Sequence, residues 1–63
     1  MSAPRQVYFE FHRIGAYVKV SAIDGVTATE VSIVGDPKAS EAMLKHTALK
    51  KLEYVLAKNQ GQK

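Results

Sequence analysis

The chain has 63 residues, no cysteine, nine Lys and Arg against six Asp and Glu, and a formal net charge of +3. A chain this short holds one small core and buries only about 60% of the surface its unfolded form exposes; without cysteine, neither a disulfide nor a thiolate metal site can staple it. The charge is mildly basic, which favours anionic partners but falls short of the dense stripe of a dedicated nucleic-acid binder, and no run of about 18 apolar residues exists to cross a membrane.

Residues 1 to 5, MSAPR, carry no periodicity and no apolar h-region, so they read as a flexible lead-in and not as a signal peptide. From Val7 the odd positions Val7, Phe9 and Phe11 are apolar, whereas Tyr8, Glu10 and His12 are amphipathic or polar. Such a period of two marks a half-buried strand. After Gly15 the apolar phase moves to even positions, Val18, Val20 and Ala22, with Tyr17, Lys19 and Ser21 on the other face. A tight turn centred on Ile14 and Gly15 pairs Phe11 with Val18, Phe9 with Val20 and His12 with Tyr17, and sets Glu10 against Lys19. A slip of one residue would send every side chain to the wrong face.

A second turn signal, Asp24-Gly25, precedes a third run in which Thr29, Val31 and Ile33 alternate with Glu30 and Ser32 up to Gly35. A two-residue turn pairs Val18 with Val31; a four-residue loop from Asp24 to Thr27 pairs Val20 with Val31. Both keep Val31 and Ile33 inside. The period then lengthens. Asp36 before Pro37 is a helix start, with Ser40-Glu41 a second cap one turn later. At about 100° per residue, Leu44, Ala48, Leu49, Leu52, Val55 and Leu56 fall in one sector of about 140°, a core-facing stripe. Lys45 falls in the same sector and must snorkel its charge outward. The domain then spans residues 6–58, and NQGQK, residues 59–63, is a frayed tail.

These elements give an α+β domain of order β-β-β-α, a three-stranded antiparallel meander packed on one C-terminal helix. The chain holds no further element to cover the second sheet face, which presents Tyr8, Glu10, His12, Tyr17 and Lys19 with Ile23 and Val34 at its margins. The plain reading is a solvated face with cross-strand pairs from Lys19 to Glu10 and Glu30. The sharper one is an interface, since tyrosine is enriched in contact surfaces. On the helix, Met43, Thr47 and Tyr54 form a secondary ridge with Lys50 and Lys51, read either as packing against the sheet end or as a partner-binding surface.

Catalytic signals are thin. There is no nucleophile elbow, and His12 and His46 lack metal-ligand spacing. His12, Glu10 and Tyr17 can be assembled on paper into an acid-base group, but one open sheet supplies no water-excluding pocket. The glycine of IVGDP is not a phosphate loop, and Asp36 would occupy any anion position at the helix start itself. No catalytic, cofactor-binding or metal residue is therefore expected. Nucleic-acid binding through the sheet face and the lysine-rich helix end is the alternative, weakened by Glu10 and Glu30 on that face.

The run VYFEFHRIGAYVKVSAIDGVTATEVSIVGDP, followed by LKKLEYVLAK, resembles a small family of uncharacterised alphaproteobacterial proteins of about this length. The resemblance covers Val7 to about Lys58, with KVSAID, TEVSIVG and LKKLEYVL as its segments. It implies a bacterial, cytoplasmic, stand-alone protein, and it carries over no functional residue. The sequence thus points to a non-enzymatic interaction module without cofactors, self-associating as a homodimer through the uncovered sheet face or a strand edge, or binding another protein.

Overall fold

The computed structural model describes residues 6–61. The expected lead-in, residues 1–5, and the last two residues of the expected tail lie outside the described residues. Strands β1 (Val7–Ile14), β2 (Tyr17–Asp24) and β3 (Glu30–Gly35) precede one helix, α1 (Glu41–Gly61). The sheet is antiparallel in the order β1-β2-β3, so the α+β class read from the sequence holds.

The first hairpin keeps its faces but not its pairing. Ile14 pairs with Tyr17, His12 with Lys19, Phe11 with Val20 and Phe9 with Ala22, a slide of two residues from the expected register. The turn is centred on Gly15-Ala16. Gly15 has φ +57 and Ala16 has no positive φ, the pattern of a type II′ turn, which wants glycine in the first central place. Centring the turn on Ile14 would force a β-branched residue toward that backbone region.

The second hairpin also departs from both expected registers. Ala22 pairs with Val31 and Val20 with Ile33. The loop is longer because Asp24 still belongs to β2 and Gly25 takes no positive φ. The buried Asp24 carboxylate accepts from the Thr27 amide at 2.8 Å and its hydroxyl at 2.9 Å. The Asp24 amide donates to Thr29 O and its carbonyl accepts from the Ala28 amide, both at 2.8 Å. Since a carboxylate only accepts, the Thr27 hydroxyl spends its proton on Asp24, and the Thr29 hydroxyl, 2.7 Å away, donates to Thr27. Ala28 closes the loop at φ 65, the left-handed region that costs a non-glycine residue roughly 1–2 kcal/mol.

Asp36-Pro37 does not begin the helix. The Asp36 carboxylate accepts from the Lys38 amide at 2.9 Å and its carbonyl from the Ala39 amide at 2.9 Å, which makes a separate turn. Ser40 is the cap: its Oγ accepts from the Met43 amide at 3.1 Å, and its carbonyl takes the Leu44 amide. The helix runs past Lys58 to Gly61.

The core consists of Val20, Ala22 and Val31 from the sheet and Leu44, Ala48, Leu52 and Leu56 from α1. Val7, Phe9, Phe11, Val18 and Ile33 are only partly buried around it. Phe9 and Phe11 of β1 thus lie at the rim of the core and not at its centre, because α1 rests on β2 and β3. A helix is about 10 Å across with its side chains and strands lie about 4.8 Å apart, so one helix dresses two strands well and three poorly.

Two substitutions test these joints. A Cβ on Gly35 would overlap the Leu44 side chain where β3 meets the helix, so Gly35→Ala should cost about 1–3 kcal/mol in urea unfolding. Replacing Leu44 with Val in the same chain should return part of that loss. Ala28→Gly removes the left-handed strain at the expense of unfolded-state entropy, and should stabilise by about 0.5 kcal/mol, read as a melting temperature a few degrees higher.

Candidate functional site: the open strand edge and sheet face

In an antiparallel ladder the N–H and C=O of one residue point to the same side and alternate along the strand. Asp24 bonds Thr29 across the second hairpin, so the even positions of β2 face β3 and its odd positions face β1. In β1, paired odd to even with β2, the even residues then bond β2. The backbone groups of Val7, Phe9, Phe11 and Arg13 point away from the sheet. On β3 the outward groups are those of Glu30, Ser32 and Val34.

The two edges are treated differently. Lys51 reaches down from α1 and donates from Nζ to Ser32 O at 2.9 Å. A lysine seated on an edge carbonyl is one of the devices by which sheets discourage a further strand. Among the described residues no side chain is seated on the outward backbone of β1. Behind that edge lies a groove of about 330 Å³ lined by Val7 and Phe9 of β1 and Leu49, Leu52, Glu53 and Leu56 of α1. Lys45 Nζ lies 5.6 Å from the centre of the Phe9 ring, one of the residues lining that groove. Lys45 is thus exposed although it falls within the apolar stripe of the helix, its charge held over the face of an aromatic ring.

The outer sheet face holds the residues singled out in the sequence in an altered arrangement. Tyr8, Tyr17 and Val34 are exposed, at 55%, 44% and 62%, and Ile23 is half-buried. Lys19 lies opposite His12 on one side and Val34 on the other, so its expected pairings with Glu10 and Glu30 do not form. Glu10 and His12 remain neighbours along β1, with His12 Nε2 3.8 Å from Glu10 Oε1 and both side chains largely exposed. Tyr17 faces Ile14, so the paper triad of His12, Glu10 and Tyr17 is not assembled. The centre of the face is closed instead: Ser21 is buried, and its hydroxyl lies 3.1 Å from that of Ser32. Two facing serines in the matched rows are the signal the sequence reading overlooked.

At the other end of the sheet, a wide depression of about 630 Å³ lies over Ala16, Tyr17, Val34, Gly35 and Asp36. Its one carboxylate is engaged by the Lys38 amide. Among the described residues no group of three or more His, Cys, Asp or Glu could hold a metal ion, and no helix is long and apolar enough to cross a membrane.

The helix ridge is exposed, with Met43 at 62% and Tyr54 at 66%. The expected packing of these residues against the sheet end does not form, because at about 100° per residue they lie on the side of α1 opposite Leu52. Thr47 turns its hydroxyl back to Met43 O at 3.1 Å, and Lys58 Nζ lies 6.0 Å from the Tyr54 ring centre. The ridge is thus occupied with contacts inside its own helix.

A family of proteins described as Domain of unknown function (DUF6898) matches residues 4–59. The chain belongs to that family. The match spans both hairpins and nearly all of α1, so the β1 edge, the groove and the sheet face all lie inside the DUF6898 domain. No curated protein and no solved structure matches it.

The guarded β3 edge yields a test of its own. Lys51→Ala should cost about 0.5–1 kcal/mol for the lost bond to Ser32 O, and should raise light scattering in concentrated solution as the second edge is bared. Unchanged scattering and stability would mean that Lys51 does not guard the edge.

Proposed function

We propose that this domain is a non-enzymatic interaction module that self-associates, and that β1 is the element through which it does so. One observation carries the reading: β1 is an edge strand of eight residues whose outward backbone meets no side chain among the described residues, and whose apolar inner face is left partly uncovered by α1. Edge strands in that condition add strands from other chains. A second copy is the simplest occupant for a domain this small, since association adds burial to a small core that leaves β1 partly uncovered. The proposed setting, a bacterial cytoplasm, rests on the sequence resemblance alone.

Sedimentation over a concentration series tests the reading. The expected result is a monomer that passes into a dimer as concentration rises. A chain assembled by peptide synthesis with N-methyl-Phe11 loses one outward donor without changing a side chain, and it should remain monomeric with its far-ultraviolet circular dichroism intact. A wild-type chain that stays monomeric up to millimolar concentration would overturn the proposal. So would a monomer that retains DNA or RNA with a steep salt dependence, the mark of phosphate contacts.

A further inference from the structure

We infer that two copies join through β1 in one specific antiparallel register, with the two-fold axis at Phe11, so that Glu10 of each copy meets His12 of the other. The inference rests on the self-association proposed above and adds its geometry. Closed dimers are two-fold symmetric, so an edge strand that pairs with its own copy must do so antiparallel about one residue. The choices differ in what they bring together on the outer face. An axis at Glu10 sets two carboxylates against each other. An axis at His12 sets two imidazoles together, each already flanked by Lys19 across the strand from it. Like charges directly opposite are destabilising in a sheet, which disfavours the axis at Glu10, and the axis at His12 leaves each Glu10 opposite Ile14 of the second copy with no polar partner.

An axis at Phe9 avoids both pairs but matches only residues 7 to 11 and sets Glu10 against Tyr8; an axis at Phe11 avoids them, matches residues 8 to 14 and sets Glu10 against His12. Each row across the interface then reads Lys19, His12, then Glu10 and Ser21 of the second copy, extending the pairing present in each chain. The Glu10–His12 rows fall at positions without direct backbone bonds, where facing side chains approach most closely. The same axis sets Tyr8 against Ile14, two large side chains left 55% and 42% exposed in the single chain. On the inner face Phe11 meets Phe11, and Phe9, which lines the groove, meets Arg13. The result is a continuous sheet of six strands with a helix over each end and the aromatic side chains of both β1 strands filling the trough between them.

Charge exchange separates this register from self-association in general. Glu10 and His12 are both exposed, so their variants should fold, which circular dichroism checks. Glu10→Lys places a cation opposite His12, and His12→Glu places two carboxylates together. Each should weaken the dimer roughly tenfold, because the symmetry repeats the change in two rows. The double variant Glu10→Lys, His12→Glu should recover to within about threefold of wild type, since it exchanges the partners without separating them. Single variants that leave the dimer unchanged, or a double variant that does not recover, would overturn the register while leaving self-association standing. A wild-type monomer at every concentration would overturn both. Should any variant fail to fold, nitroxide labels at Tyr8→Cys and Ile14→Cys give a second reading. The two positions are equally far from Phe11, so each labelled dimer should show about 20 Å between its paired backbone sites. Unequal distances would place the axis elsewhere.

Discussion

The mismatch in width between one helix and three strands governs this small molecule. Leu44, Ala48, Leu52 and Leu56 seat α1 over Val20, Ala22 and Val31, and those seven residues are the buried apolar core. A helix about 10 Å wide centred on β2 and β3 cannot also close over β1. Phe9 and Phe11, the largest apolar side chains of the sheet, therefore end at the rim of the core. Lys45 lying over Phe9 fits the same geometry: a lysine is tolerated within the apolar stripe of α1 because the stripe there looks across β1 toward solvent.

The placement of the helix depends in turn on the second loop. Hydrogen bonds among Asp24, Thr27 and Thr29 end β2 and set where β3 begins. That register places Ala22 beside Val31 and Val20 beside Ile33, which creates the narrow apolar floor on which α1 rests. Alanine in the middle of that floor lets the helix come close, and Gly35 at the end of β3 leaves room for Leu44. A buried carboxylate in the loop and a missing methyl at the strand end thus settle the position of the helix, which then leaves β1 half-dressed.

Much of this was legible in the sequence, for identifiable reasons. The period-two runs around Gly15 and the switch of period after Gly35 are strong local signals, and they placed every strand and assigned each residue to its face. Register was another matter. A slide of two residues preserves the faces, so the apolar pattern cannot distinguish Phe11 opposite Val18 from Phe11 opposite Val20; only the φ +57 of Gly15 decides it. Asp24-Gly25 looked like a hairpin turn because the pair favours one, yet the bonds of Asp24 are made to Thr27, whose role depends on the loop that Asp24 itself creates. Asp36-Pro37 attracted the helix start for a similar reason, since an aspartate capping a turn and one capping a helix look alike until Ser40 is seen to hold the Met43 amide. The candidate face survived with its members regrouped. The edge and groove of β1 were not legible, because they follow from the breadth of the helix and not from any residue pattern.

The difference between the two edges gives the fold its functional direction. Both outer strands expose a row of backbone donors and acceptors, and both would be equally prone to recruit a further strand if side chains did not intervene. On β3 the helix covers the inner face and Lys51 occupies Ser32 O; on β1 the helix covers the inner face only in part, and among the described residues no side chain is seated on the outward backbone. An edge with an uncovered aromatic inner face is a liability in a chain that works alone, and such chains commonly place charges or proline there. Here the outward row instead carries Val7, Phe9 and Phe11, with Arg13 alone supplying charge. For a domain whose single core is this small, the proposed pairing of β1 with a second copy would supply the cover that the helix leaves incomplete there.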